Sequence, residues 1–98
     1  MRPDEVVELF LRDRARAEER FADEKIPVHG YVDAVTRVFE GQLFVVLSSE
    51  RTFRWDVVYC APAPHMDVAS IEPGRELLVH GYFDAAHFSV VTLKDCTW

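Results

Sequence analysis

The residues best suited to binding lie in one stretch of the chain, where aromatic rings and arginines are close in sequence. Large aromatic side chains dominate the binding energy of protein interfaces, and the same rings stack on nucleic-acid bases when nearby arginines contact the phosphates. The sequence therefore predicts a contact surface and leaves open whether its partner is a protein or a single-stranded nucleic acid. The candidate rings are Phe44, Phe53, Trp55 and Tyr59, and the candidate phosphate contacts are Arg37, Arg51 and Arg54.

Two histidines occupy equivalent positions in a short internal repeat. The segments Val28–Ala34 and Val79–Ala85 are identical at six of seven positions, and His29 and His80 are the second residue of each. Two imidazoles on neighbouring strands can form a metal site or a pH-sensitive pair. Because the sequence places no third ligand beside them, we expect both histidines to point outward into solvent, and we predict no cofactor and no metal.

The two cysteines, Cys60 and Cys96, are too few and too far apart for a zinc module or a disulfide scaffold. Free cysteine is among the most buried residue types, so we expect two small core residues. A disulfide is the alternative, which a reducing cytosol disfavours. Cys60 beside a histidine could act as a nucleophile, but a cysteine at a core-facing strand position is usually inert. The sequence has no phosphate-binding glycine loop and no dinucleotide fingerprint, so we predict that the protein is not an enzyme.

Length and charge narrow the classes of partner. Ninety-eight residues form a single domain, and a composition of 49% apolar and 29% charged residues is that of a globular chain. The net charge is -6, with six bases against eight acids in residues 1–25 and five bases against nine acids in residues 26–98. This excess of acids disfavours binding of nucleic acid, because proteins gain affinity for it by neutralising its phosphates. Acids near the N-terminus do not fit a secretory leader, and no apolar run reaches the ~20 residues of a spanning helix, so we expect a cytoplasmic protein without a membrane partner.

An amphipathic helix is predicted from about residue 4 to residue 24. Pro3 suits the first turn, and Asp4, Glu5 and Glu8 lie near the positive end of the helix. Bases and acids interleave on its solvated faces, so we expect the helix to pack on the rest of the chain. The apolar stripe for that packing consists of Val7, Phe10, Ala17 and Phe21.

Five apolar segments with a strand-like period of two follow the helix. Their order of three strands, a crossover with a short helical turn at residues 65–71, and two further strands is typical of the OB-fold, a small five-stranded Greek-key barrel. Gly30 and Gly81 lie inside strands, where glycine marks a bulge or the bend that closes a small barrel. The domain thus consists of an N-terminal helix in residues 1–25 and a barrel in residues 26–98. The predicted strands are residues 26–39, 42–47, 52–60, 76–83 and 88–96, with a turn at residues 84–87.

A set of residues from about position 15 to the C-terminus follows the order and spacing of a known family. They are Ala17, Phe21, Lys25, Val28, Gly30, Val32, Leu47, Val58, Cys60, Gly74, Val79, Gly81, Leu93, Lys94, Asp95 and Cys96. In this pattern the chain resembles the tRNA-anti-like OB-fold family, although Ala61-Pro62 replaces the usual aromatic pair after the cysteine. The resemblance implies a helix packed on a five-stranded barrel and a nucleic-acid-binding ancestry. It implies no reaction and no catalytic residue, because the family is largely uncharacterised.

The third predicted strand raises a packing question. If Val58 and Cys60 point into the barrel, four apolar residues share its outer face and need a cover. The N-terminal helix, a second subunit, stacked bases or a small ligand could supply that cover. Arg54 and Asp56 would then face inward, so we expect a bulge near Arg54 or Trp55 that resets the register. The four outward residues are Phe53, Trp55, Val57 and Tyr59.

The sequence therefore predicts a non-enzymatic OB-fold module, mainly β with one added helix, that acts through protein contacts. We expect a homodimer that forms through the apolar face of the second and third strands. Single-stranded nucleic-acid binding through the same rings is the alternative function, and a small-ligand or metal site at His29 and His80 is the third.

Overall fold

The fold is mainly β, as the sequence predicts. The computed structural model describes residues 1–38, 41–50 and 56–98. Within these ranges, two short helices precede five strands. The helices are α1 (Pro3–Arg12) and α2 (Arg14–Arg20), and the strands are β1 (Ile26–Val38), β2 (Gln42–Ser48), β3 (Val57–Pro62), β4 (Glu76–His87) and β5 (Val90–Thr97).

The strands form a closed barrel in the order β1-β2-β3-β5-β4. Neighbouring strands are antiparallel except β3 and β5, which are parallel. Strand β1 pairs with β4 through its first half and with β2 through its second half, and Tyr31 is paired on both sides. This shared strand joins the two ends of the sheet and closes the barrel.

The two strand glycines act in different ways. At Gly81 the β4–β5 register shifts between His80 and Tyr82, so the strand is interrupted there, as a bulge or a bend at this glycine would require. At Gly30 an added Cβ would lie 2.8 Å from the Pro3 ring and 2.8 Å from a backbone carbonyl oxygen of β2. Glycine at this position therefore lets the start of α1 lie directly against the barrel.

Both helices contribute to the core, which confirms that the N-terminal segment packs on the barrel. Phe10 stacks on Phe83 of β4, with ring centroids 4.3 Å apart and an interplanar angle of 4°. Burying these side chains against the strands supplies the hydrophobic free energy that holds the helices in place. The helical core residues are Val6, Val7, Phe10 and Ala17, and they join the inward residues Ile26, Val28, Val32, Val45, Leu47, Val58, Cys60, Val79, Val91, Leu93 and Cys96.

The prediction of one helix over residues 4–24 is wrong, because the helix breaks at Asp13. The backbone there adopts φ -154° and ψ 87°, and the Asp13 carboxylate accepts a hydrogen bond from the Arg16 backbone N–H at 3.2 Å. Aspartate favours helix caps over helix interiors because its short side chain bonds to nearby backbone N–H groups. The local cap thus ends α1 and begins α2.

The start of α1 is tied to the end of β2 by partly buried polar contacts. The Ser49 hydroxyl donates to the Asp4 carboxylate at 2.7 Å and accepts from the Asp4 backbone N–H at 2.9 Å. The Arg2 guanidinium donates to the Ser49 carbonyl oxygen. These bonds satisfy orphan groups at the helix N-terminus and fix where the helix enters the barrel.

Two further predictions of local structure are corrected. Residues 65–71 form no helical turn: Met66 donates its backbone N–H to Ala63, and Ile71 donates to Val68, in two separate turns. The predicted turn at residues 84–87 is instead the end of β4, because continuing the strand packs Ala86 against the core. No helix in the described part of the chain is long and apolar enough to cross a membrane.

Candidate interaction surface

The structure brings together two of the four predicted aromatic anchors. Phe44 on β2 and Tyr59 on β3 meet edge to face, with ring centroids 5.6 Å apart. Phe44 is only 6% exposed and Tyr59 is half-buried, so the Phe44 ring offers little surface to a base or a partner. The other predicted contacts, Phe53, Trp55, Arg51 and Arg54, and the predicted bulge lie outside the described residues.

The register of the third strand follows the prediction. Val58 and Cys60 point into the core, and Val57 and Tyr59 alternate with them on the outer face. Asp56 is exposed, so this acid does not take the inward position that strict alternation from Val58 would give it; β3 begins at the next residue, Val57. The buried side chains of α1 join the inward cluster, so the helix packs against the barrel interior.

Arg37, a predicted phosphate contact, bonds within its own hairpin. Its guanidinium donates to the Gly41 carbonyl oxygen at 3.0 Å, and the side chain is exposed. The bond stabilises the β1–β2 connection, where Gly41 has φ +86°. Arg37 therefore has a local structural role.

The two histidines of the internal repeat are exposed on the outer face of β1 and β4, as predicted. Strand pairing sets Val28 opposite Val79, so His29 and His80 lie on a diagonal. The partner of His29 is Glu76, whose Oε2 lies 3.1 Å from the histidine Nε2. No cluster of three metal-binding side chains occurs in the part of the chain that the structure describes.

The two cysteines are buried and not joined by a disulfide, which confirms the prediction of core residues. They lie on the paired strands β3 and β5. Hydrogen bonding to Cys96, followed by burial, raises the pKa of the Cys60 thiol well above its usual range. The neutral thiol is the poorer nucleophile, so this site favours packing over reaction.

Phe88 is the residue that sequence reasoning missed. It lies in the two-residue turn between β4 and β5, it is 82% exposed, and its φ of 54° is in the left-handed region. Glycine and asparagine usually occupy such positions, since a bulky side chain there is strained. The His87 ring contacts the Phe88 ring edge to face at 4.6 Å. The sequence carries no turn signal at Phe88, which is why it was predicted to begin a strand.

Phe88 lies beside the apolar outer side of β3 and β5. The Val57 backbone N–H donates to the Ser89 carbonyl oxygen at 3.2 Å, and Val57 pairs with Val90. Tyr59 follows on the same face two residues along β3. Val57 is only 7% exposed, so we call the three more exposed residues Tyr59, Phe88 and Val90 the β3–β5 strip.

The chain gives no match in comparisons with protein-family models, with curated proteins or with solved structures.

Proposed function

We propose that this chain is a non-enzymatic OB-fold module that binds a second copy of itself through the β3–β5 strip. The closed order β1-β2-β3-β5-β4 with parallel β3 and β5 supports an OB-fold. In OB-folds the turn between the fourth and fifth strands flanks the ligand-binding face. Phe88 occupies that turn, at one end of the strip.

The observation that carries the proposal is the combination of exposure and strain at Phe88. A left-handed backbone costs an L-residue about 1–2 kcal/mol, and an exposed phenyl ring gains nothing from burial to offset that cost. Asparagine would adopt the same backbone more easily. Contact with a partner would explain why an aromatic residue occupies a position that is both strained and exposed.

The chemistry of the strip favours a protein over a nucleic acid. Its members are apolar apart from the Tyr59 hydroxyl, and the residue that precedes β3 is the exposed acid Asp56. The chain carries a net charge of -6, which repels a phosphate backbone. Two aromatic rings beside an aliphatic side chain are typical of a protein interface core.

A second copy of the chain suits the strip, because the strip can be complementary to itself. In a two-fold dimer the same patch occurs on both subunits and must be complementary to itself. A projecting Phe88 next to the half-buried Val90 and Tyr59 provides both an anchor and an apolar surface to receive it. The like charges of the two copies make this association stronger at higher salt, because salt screens their repulsion.

The test is sedimentation equilibrium of the parent chain and of Phe88→Asn over a range of concentrations. Hot-spot side chains contribute about 2 kcal/mol or more, so we expect the substitution to weaken dimerisation about 30-fold. Leu78→Thr is the matched control, because Leu78 is 50% exposed on the outer face of β4, outside the strip. It should leave the dimerisation constant unchanged.

Two results would overturn the proposal. One is a parent chain that stays monomeric at all accessible concentrations and salt conditions. The other is a Phe88→Asn variant that dimerises as tightly as the parent, since the interface would then lie elsewhere.

A further inference from the structure

We infer that the groove between α2 and the β4–β5 pair is a binding site for a planar aromatic ligand that carries an anionic group, such as a mononucleotide. The groove has a volume of about 480 Å³, which falls in the range of small-molecule sites. It lies apart from the β3–β5 strip, and the inference does not depend on the proposed dimer. The lining residues are Glu18, Phe21, Ala22, Asp23, Tyr82, Phe83 and Lys94.

Three half-buried aromatic rings converge on this groove from two elements. Phe21 follows the end of α2, and Tyr82 and Phe83 are neighbours on β4. The β4–β5 register shifts on both sides of Tyr82 and Phe83, between His80 and Tyr82 and between Phe83 and Ala85. Both residues line the groove, and they form a regularly paired segment with Lys94 and Leu93 between the two register shifts.

Each ring is also contacted by a basic side chain. The Lys25 ammonium lies 5.4 Å from the Tyr82 ring centroid, and Arg14 and Arg20 lie 5.7 Å and 4.9 Å from the Phe83 and Phe21 centroids. Aromatic rings interleaved with cations provide stacking for a planar ring and a counter-charge for its anionic substituent. Because the Phe83 ring is already stacked on Phe10, Phe21 and Tyr82 are the rings left to stack on the ligand.

The Tyr82 ring has the best-placed cations. Lys94 pairs with Tyr82 across the β4–β5 ladder, and Lys25 lies over the ring. Lys25 is held by Asp95 at 3.9 Å and by the Thr97 hydroxyl at 3.4 Å. Within the described residues Lys94 has no ion pair, so its ammonium is the group assigned to the ligand anion.

The groove also contains carboxylates, which limit the ligand to a small anion. Glu18 is paired with Arg14 at 3.7 Å, and Asp23 lines the groove at φ 58°. A single phosphate needs one cation, which Lys94 supplies, whereas a polyanionic strand needs several cations in a groove that also contains two acids. A mononucleotide therefore fits the local charge better than an oligonucleotide.

The experiment is a titration of the isotope-labelled full chain with adenosine 5′-monophosphate, followed by amide NMR shifts. We expect saturable shifts around Tyr82 and Lys94 at millimolar ligand. Adenosine alone and inorganic phosphate alone should each bind more weakly. Phosphate that binds as tightly as the nucleotide would refute the stacking role of the rings, and adenosine that binds as tightly would refute the role of Lys94.

Two variants assign the site. Lys94→Glu should weaken nucleotide binding about fivefold, while Arg75→Glu, the same charge change at an exposed residue in the turn before β4, should leave it unchanged. Tyr82→Leu should weaken binding about fivefold or more through loss of stacking. Because Lys94 is a surface residue, its variant gives a result even if Tyr82→Leu unfolds. Absence of saturable shifts in the parent, or parental affinity in Lys94→Glu, overturns the inference.

Discussion

Gly81→Ala tests how closely the Cys96 and Leu93 side chains of β5 pack against Gly81 of β4. The added Cβ would lie 2.6 Å from the Cys96 sulfur and 3.0 Å from the Leu93 Cβ. Ordinary contact begins at 3.4 Å, so the sulfur would have to move by the difference, about 0.8 Å. Both neighbours are fully buried, so either side chain would have to move into a closely packed core.

The expected cost follows from two opposing terms. Overpacking a closed core destabilises a protein by about 1–3 kcal/mol. Replacing glycine by alanine at an ordinary backbone angle stabilises by about 0.4–1 kcal/mol, because the unfolded chain loses freedom. We therefore expect Gly81→Ala to lower the free energy of unfolding by about 1–2 kcal/mol and the melting temperature by about 4–8 °C for each kcal/mol.

The assay is urea and thermal unfolding of four chains, followed by far-UV circular dichroism under reducing conditions. The four chains are the parent, Gly81→Ala, Cys96→Ala and the double variant. Removing the sulfur frees the space that the new methyl group needs, so the double variant should be more stable than the sum of the single effects by at least about 0.5 kcal/mol. Additive effects, or a Gly81→Ala chain as stable as the parent, would show that the Cys96 sulfur does not pack closely against Gly81.

Three further perturbations have defined outcomes. Phe88→Asn should raise the free energy of unfolding by about 1 kcal/mol, since asparagine relieves the left-handed strain. The measurement is a urea titration at protein concentrations at which the chain is monomeric. A loss of stability would mean that Phe88 packs within its own chain. Phe10→Ala should cost about 3–5 kcal/mol because it empties the stack on Phe83, and a loss below 1 kcal/mol in the same assay would contradict the helix packing. The raised pKa of Cys60 means that the unfolded thiol ionises first as pH rises, so stability should fall above about pH 8.5 by up to ~1.4 kcal/mol per pH unit. Unfolding curves of Cys60→Ala should lack this part of the slope, and an unchanged slope would show that the Cys60 thiol is not its source.

Local patterns predicted those features that depend on backbone geometry and burial. The period of two placed Val58 and Cys60 inside and Val57 and Tyr59 outside, because successive side chains in a strand point to opposite faces. Pro3 marked the start of α1 for a similar reason, since its fixed φ suits the first helical turn.

Two of the wrong predictions have different causes, a local hydrogen bond at Asp13 and strand pairing at Phe88. The apolar stripe continued past Asp13, but the hydrogen bond from Arg16 to its carboxylate was strong enough to end the helix. At Phe88 the chain turns through a residue that normally avoids positive φ. Strand pairing of Ala86 with Val91 and of His87 with Val90 leaves only two residues for the turn. This pairing is not visible in the sequence pattern around Phe88.

The candidate site was predicted only in part, because its contacts join distant positions. The sequence indicated that Phe44 and Tyr59 share one face, and the structure brings their rings to 5.6 Å. It gave no indication that Phe88 would lie beside Val57, which requires the parallel pairing of β3 and β5. That pairing depends on the whole barrel and not on any window of residues.

The sequence by itself determined that this is a single, acidic, mainly β chain with a helical start, two buried cysteines and alternating strands, because these properties follow from composition and from periodicities of a few residues. Only the tertiary structure decided which strands are neighbours. That choice joined Phe21 to Tyr82 and Lys94 around one groove and set Phe88 at the end of an apolar strip. Pairing between distant strands is determined by the simultaneous burial of all five apolar faces, so the surfaces proposed for binding become visible only when the barrel is closed.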